Sequence, residues 1–99
     1  MNVKFRTKEE EKWTFLSFEL NGTITPYDLK TIDPPKLRGD KGVLISGRGP
    51  IWLYCFLVHH YHSTKFIGTY DPREPGAVIV ESHTPEYAVG DVLRVNPEE

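Results

Sequence analysis

The chain has 99 residues, of which 12 are Lys or Arg and 14 are Asp or Glu, so its formal charge is −2. This length suffices for one hydrophobic core but not two, and a slightly acidic protein is not a general coat for DNA or RNA, which would be strongly basic. The single cysteine, Cys55, excludes an intramolecular disulfide. The longest apolar run, 51–58, is shorter than the ~20 residues that span a bilayer. We expect a cytoplasmic protein with a single domain over residues 1–99, whose nucleic-acid role, if any, depends on a local site.

The N-terminal half predicts a β-hairpin followed by a short helix. Residues 13–20 alternate between two faces with a period of two, which is typical of a strand. Thr25 followed by Pro26 is a helix start, with threonine as the N-cap and proline in the first turn. In chain order we predict a strand at 3–6, a charged connection at 8–12, a strand at 13–20, a turn at 21–22, a short helix that ends before Asp33, and a loop over 36–41.

The C-terminal half predicts a parallel β-α-β unit. Residues 42–46 are apolar and β-branched, which favours a buried strand, and residues 51–62, apolar on nearly every side, are the best helix in the chain. A strand, a glycine-rich loop, a helix and a second strand make a right-handed crossover between parallel strands. We therefore predict a small α/β domain with a mixed sheet, one main helix and an N-terminal β-hairpin, with its remaining strands at 66–70, 77–81 and 92–95.

The glycine-rich loop Ser46-Gly47-Arg48-Gly49-Pro50 is the first candidate site. Ligands of open parallel sheets bind beyond the carboxyl ends of the strands, and this loop places an arginine there beside a helix N-terminus, whose N–H groups attract anions. Residues 36–48 carry four basic residues against one aspartate, a local charge of +3 that also favours an anionic ligand. The sequence supports equally a plain connection with an incidental arginine, because the fuller fingerprints GxGxxG and GxxxxGK are missing.

The histidines form the second candidate site. Residues three apart share a helix face, so His59 and His62 are predicted to point together, while His60 points elsewhere and is treated as structural or peripheral. Such a pair can share a metal ion, or one imidazole can act as acid or base beside the other. The alternative is structural, since a helix dipole alone favours histidines at a C-terminus. The fourth histidine, His83, follows the strand at 77–81.

Asp71 is the third candidate. It ends a predicted strand, precedes Pro72 and lies two residues from Arg73, so it can ligate a metal, orient a nucleophile or cap a turn. Its position beside Arg73 and the helix-start loop favours a site. The β-α-β arrangement separates it from the histidines, however, because a helix over 51–62 spans ~18 Å. Either the histidines are structural or the complete site forms between chains.

Five motifs occur in order between residues 42 and 95: GVLISGRGPIWLYCFLVHHYH, TYDPR, AVIV, SHTPEY and VGDVL. Over this region the chain resembles the CRISPR ring nuclease three family, small accessory proteins of type III CRISPR systems. The resemblance implies a dimeric, distorted Rossmann-like domain that binds cyclic tetra-adenylate, the second messenger of the type III response. It implies cleavage of this ring with Mn²⁺, which switches the signal off, and manganese-dependent trimming of RNA 3′ ends. The family holds the ring between two dimers, so that His62 would approach Asp71 of an opposing dimer.

Carried over by motif, the resemblance gives each candidate a role. His62, Asp71 and Arg73 would be catalytic. The expected Mn²⁺ ligands are Asp71 and His83, assisted by His59, and manganese suits such a mixture of oxygen and imidazole ligands. The residues expected to contact phosphate or adenosine are Ser46, Gly47, Arg48, Gly49 and Pro50.

The sequence leaves the chemistry and the class of function open. The nucleophile is either the adjacent 2′-OH, with His62 as acid or base and with Arg73 and the metal stabilising charge, or a metal-bound water. The leading hypothesis is a manganese-dependent cyclic oligoadenylate phosphodiesterase. The alternatives are a protein that binds oligoadenylate or RNA 3′ ends without turnover, and a manganese-dependent RNA exonuclease that removes terminal adenosines.

Overall fold

A computed structural model of the chain describes residues 2–98 and places six strands in one sheet, in the same order as along the sequence. The described residues also form an α-helix, α1 (Ile51–His60), and a 3₁₀ helix over Pro26–Lys30. The strands are β1 (Val3–Glu9), β2 (Trp13–Leu20), β3 (Gly42–Ser46), β4 (Phe66–Asp71), β5 (Gly76–Ser82) and β6 (Val92–Leu93).

The directions of the strands define two ends of the sheet. Strands β2, β3 and β4 are parallel, β1 is antiparallel to β2, and β5 is antiparallel to both β4 and β6. The predicted mixed α/β sheet is confirmed, with its N-terminal hairpin and its parallel β3-α1-β4 unit, and it is consistent with a small Rossmann-like fold. The end of the sheet at which β3 and β4 finish and α1 begins is called the loop end. The opposite end, at which α1 finishes, is called the histidine end.

Apolar side chains cover both faces of the sheet. On one face, the helix contributes Leu53 and Leu57, which are fully buried against Leu16 and Ile45 of the sheet. Burying a leucine side chain is worth about 1.5–3 kcal/mol, so these contacts fix α1 on the sheet. Cover on both faces also explains why β3 is a continuous apolar run. The second face carries Phe15, Leu44, Phe66, Ala77 and Ile79, with Tyr87, Leu93 and Val95 packed against them.

Helix α1 ends at His60, earlier than the predicted end at His62. Tyr61 leaves the helical conformation, with φ −101° and ψ 19°. Its ring is buried, and its hydroxyl donates a 2.5 Å hydrogen bond to the carbonyl oxygen of Pro35. Thr64 in turn donates from its hydroxyl to the carbonyl oxygen of Tyr61 at 2.8 Å. Packing of Tyr61 against the preceding loop therefore stops the helix.

Other bounds differ at the sheet edges. β1 continues to Glu9, beyond the predicted 3–6, because its pairing with β2 extends to the end of the hairpin, and an edge strand can present charged side chains to solvent. β4 includes Asp71, whereas β6 is shorter than the predicted 92–95. None of the helices within residues 2–98 has the length and apolar character needed to cross a membrane.

Candidate functional site

The glycine-rich loop lies directly on the ring and backbone of Phe18. Gly47 has φ +150°, and a Cβ there would lie 2.6 Å from the carbonyl oxygen of Phe18. A Cβ on Gly49 would lie 2.8 Å from the Phe18 ring. These contacts exclude larger side chains at both positions. The two glycines are therefore explained by packing, and the case for a ligand depends on the other groups of the loop.

Tyr54 of helix α1 fixes the conformation of this loop. Its hydroxyl donates a 2.6 Å hydrogen bond to the carbonyl oxygen of Gly47, and its ring packs edge-to-face on Phe18 at 5.2 Å between centroids. Burial raises the pKa of the Tyr54 phenol. The phenol therefore stays protonated near neutral pH and remains a donor.

Two features of the loop favour an anion. Arg48 is exposed and lies just before α1. The N-cap residue, Pro50, makes no side-chain cap, and the first turn of the helix carries no acidic residue. The N–H of Leu53 donates to the carbonyl oxygen of Pro50 at 3.1 Å. The N–H groups of Ile51 and Trp52 and the positive end of the helix dipole are thus available to a negatively charged ligand.

Asp71 and Arg73 form a paired group at the same end of the sheet. Oδ1 of Asp71 accepts hydrogen bonds from the backbone N and Nε of Arg73, at 2.9 and 3.2 Å, and Oδ2 accepts from Nη2 at 3.1 Å. These bonds, first of all those from the side chain, lower the pKa of Asp71. The carboxylate remains ionised, and 88% of the Arg73 side chain is exposed to a ligand.

An open cleft of about 1040 Å³ connects the loop with β1 and β2. The sequence pointed to none of its lining residues on β1 and β2. Lys4, Arg6 and Lys8 occur at alternate positions of β1 and so lie on one face of the strand. A prediction that extended this strand to Glu9 would have placed the three cations side by side. Tyr70 and Pro72 line the cleft on the side of β4, next to Asp71.

Two of the four basic residues in the window 36–48 lie far from the loop. Arg38 forms a two-point ion pair with Asp40, with Nη2 2.6 Å from Oδ2. Arg38 and Lys41 both contact Glu9, at 3.4 and 3.2 Å. These two cations lie before β3, at the end of the sheet opposite Arg48. These two charges therefore do not add to that of Arg48 at the loop, because a sequence window adds charges from both ends of a strand.

Three of the four histidines meet at the histidine end. The rings of His59 and His62 are stacked with centroids 5.5 Å apart, as their spacing predicts, although His62 lies beyond the helix. Nε2 of His83 lies 2.9 Å from the carbonyl oxygen of His62 and 2.6 Å from a carboxylate oxygen of Glu81. His60 packs instead on Phe56 at 6.1 Å between centroids.

The structure does not bring the two ends together within one chain. Asp71 pairs with Gly76 next to the turn of the β4–β5 hairpin. His83 lies at the open end of the same hairpin, just after Ser82, which pairs with Phe66. The six residues of β4 span ~17 Å. The predicted manganese set of Asp71, His83 and His59 is therefore not assembled in a single chain, and both Asp71 oxygens already accept bonds from Arg73. Within residues 2–98, no three His, Cys, Asp or Glu side chains are placed to hold a metal ion.

The geometry defines a class of protein: a small Rossmann-like α/β domain with a glycine-rich loop that carries Arg48 at one end and a histidine cluster at the other. The family model described as CRISPR-associated protein (Cas_csx3) matches residues 17–94, and the chain belongs to this family. A protein of Aquifex aeolicus (strain VF5), described as an uncharacterized protein, is 50% identical over 108 residues. That match covers 95% of this chain and 97% of the relative. Membership gives the protein a CRISPR-related role.

Proposed function

We propose that the protein is a phosphodiesterase that cleaves cyclic tetra-adenylate and so switches off type III CRISPR signalling. One observation carries the proposal. The groups suited to bind and neutralise a phosphodiester lie at the loop end, and the groups suited to move protons lie at the histidine end. A chain with these two half-sites becomes complete when the loop end of one copy meets the histidine end of another. Membership of a CRISPR-associated family and the resemblance to ring nucleases support the choice of substrate.

The loop end supplies binding. Arg48 and the uncapped first turn of α1 contact phosphate, while Tyr70 in the adjoining cleft offers a face on which an adenine can stack. Asp71 accepts hydrogen bonds from Nε and Nη2 of Arg73. The guanidinium of Arg73 thereby faces the phosphate and stabilises the charge that develops there. A ring of four nucleotides carries only four phosphates, so this small site suffices in a protein of net charge −2.

The histidine end supplies proton transfer. The 2′-oxygen of one adenosine attacks the adjacent phosphorus as His62 of the neighbouring chain takes the 2′-OH proton. The P–O5′ bond breaks, and the leaving O5′ receives a proton from a histidine or water. Mn²⁺ dependence belongs to this proposal, with the ion supplying charge neutralisation when bound. Its predicted ligands do not converge in one chain.

Helix α1 offers a surface for the required assembly, either a homodimer or a dimer of dimers around the ligand. Its ten residues include no Asp, Glu, Lys or Arg, and Ile51 at its start is 81% exposed. An apolar helix of this kind is normally covered on all sides. Two copies that join through α1 would bury this surface without opposing charges.

The test is complementation between inactive variants. Asp71→Ala and His62→Ala should each lower the rate of ring cleavage by at least about 100-fold, as expected for acid–base and charge-positioning groups. An equal mixture should recover about one quarter of wild-type activity, because one site in four then draws both intact halves from different chains. Asp71→Ala mixed with the double variant is the matched control and should recover none. Inactivity of the first mixture, when native mass spectrometry shows mixed assemblies, would contradict a site shared between chains.

A second function is favoured by the shape of the cleft. The lining continues away from the loop along β1, past Lys4, Arg6 and Lys8, and this length suits a linear strand better than a small ring. Arg6 and Lys8 are also paired with Glu19 and Glu10, at 3.9 and 3.5 Å. We therefore retain binding or manganese-dependent trimming of RNA 3′ ends as the alternative. Mass-resolved products decide between the two. Ring opened by the 2′-OH keeps its mass, attack by water adds one water, and release of single adenosine nucleotides from linear oligoadenylate identifies the exonuclease.

A further inference from the structure

Glu81 connects the residues of the histidine end. It is the penultimate residue of β5, and its side chain is 28% exposed. Oε2 of Glu81 lies 2.6 Å from Nε2 of His83, and the same nitrogen lies 2.9 Å from the carbonyl oxygen of His62. A carboxylate and two residues of the predicted site thus form one continuous chain of hydrogen bonds.

The acceptors in this chain determine which imidazole nitrogens carry protons. A carbonyl oxygen can only accept, and an ionised carboxylate can only accept. Nε2 of His83 must therefore bear hydrogen, which leaves its Nδ1 with the lone pair when the ring is neutral. The same argument applies to His62, whose Nδ1 lies 2.9 Å from the carbonyl oxygen of His59. Nδ1 of His62 is the donor, and its Nε2 carries the lone pair.

The backbone of β5 is irregular beside Glu81. Ile67 of β4 pairs with Glu81, but the next residue, Gly68, pairs with Ile79, so Val80 has no partner in the register. Such a bulge re-aims the neighbouring side chains, and bulges recur next to active sites. Here it accompanies the contact of Glu81 with His83, and it exposes 42% of Val80.

We propose that Glu81 is a positioning residue for the phosphodiesterase reaction. It holds His83, His83 holds the carbonyl of His62, and the turn at residues 59–62 then keeps the lone pair on Nε2 of His62, where it can take a proton from a ligand on the neighbouring chain. The effect of Glu81 on catalysis rests on the proposed function. The hydrogen bonds among Glu81, His83 and His62 do not. A carboxylate that fixes the tautomer and orientation of a histidine is a recurrent device in enzyme sites.

The arrangement is tested in the wild-type protein without any substrate. Imidazole ¹⁵N–¹H correlation spectra, recorded at a pH where the histidines are neutral, should show His62 with its proton on Nδ1 and His83 with its proton on Nε2. Glu81→Ala removes the shorter of the two contacts of His83 Nε2 and should broaden the signals of both rings as their orientation is released, whereas Glu81→Gln keeps an acceptor oxygen and should preserve them. Mixed tautomers in the wild-type protein would overturn the proposal.

The catalytic consequence is tested by a double-mutant cycle on kcat. Glu81→Ala should lower kcat about 10–100-fold, the usual effect of removing an outer partner of a functional histidine, and should leave KM nearly unchanged. Because Glu81 acts through His83, the pair Glu81→Ala with His83→Ala should lose no more than His83→Ala alone. Glu11→Ala, on the exposed hairpin connection, is the matched control. Additive losses would refute action through His83. If wild-type protein cleaves no ring while the tautomers are as expected, the proposed function fails and the arrangement stands.

Discussion

The hydroxyl of Tyr54 donates to the carbonyl oxygen of Gly47, which connects the second turn of α1 to the loop that precedes it. The bond connects this carbonyl to the helix, and both residues line the cleft. The loop is therefore held in one conformation beside the helix start, with Arg48 exposed.

Tyr54→Phe tests this relationship. The variant keeps the ring contact with Phe18 but removes the partner of the Gly47 carbonyl, so the free energy of unfolding should fall by about 0.5–1.5 kcal/mol. Affinity for cyclic tetra-adenylate should fall as the loop loses its fixed conformation. Denaturant unfolding and calorimetric titration measure the two effects. A variant with full stability and full affinity would show that the bond has no role.

Gly47→Ala should be strongly destabilising. The position combines φ +150° with a Cβ only 2.6 Å from a backbone oxygen, so we expect a loss of at least about 1–3 kcal/mol in the free energy of unfolding. Gly39→Ala is the matched control, because a Cβ there meets nothing within 4 Å. It should be neutral or slightly stabilising. Equal effects of the two substitutions would contradict the packing of the loop on Phe18.

Arg73→Gln should raise the pKa of Asp71 toward its ordinary value, because the side chain of Arg73 is the main cause of its lowering. A carboxyl whose pKa is lower in the folded state stabilises the fold above its unfolded pKa, and this contribution disappears as pH falls through the folded pKa. The stability difference between wild type and variant should therefore be present at neutral pH and vanish in acid. Carbon-13 titration of the carboxyl group follows the pKa directly. Arg6→Gln should leave it unchanged.

Chelation of metal should stop ring cleavage without changing the melting temperature of the protein. Within the described part of the chain no group of metal ligands stabilises the fold, so the ion is expected to serve the assembled site alone. Turnover should return on addition of Mn²⁺. A marked fall in melting temperature after chelation would instead place a structural metal within one chain.

The sequence predicted the architecture well because its signals were local. The alternation in residues 13–20 and the apolar run at 42–46 each belong to one strand, and both strands begin and end where the sequence indicated. Charged side chains concealed the second half of β1, since an edge strand tolerates them on both faces. The end of α1 depended on the burial of Tyr61 against the chain at Pro35, a contact between residues far apart in sequence.

The site was predictable as a set of residues but not as an arrangement. Spacing alone placed His59 beside His62. The roles of Tyr54 and Glu81 could not be predicted, because both depend on contacts that only the folded chain creates. The reason for the two glycines was likewise hidden, since Phe18 reaches them from a neighbouring strand.

The placement of unlike half-sites at opposite ends of the sheet has a kinetic consequence. On the proposed function, activity per milligram is not a constant of the protein. It rises with protein concentration until every loop end is matched by a histidine end, and it falls steeply on dilution. A cell that holds such a protein at low abundance keeps its messenger intact, and one that accumulates the protein gains turnover faster than it gains chains.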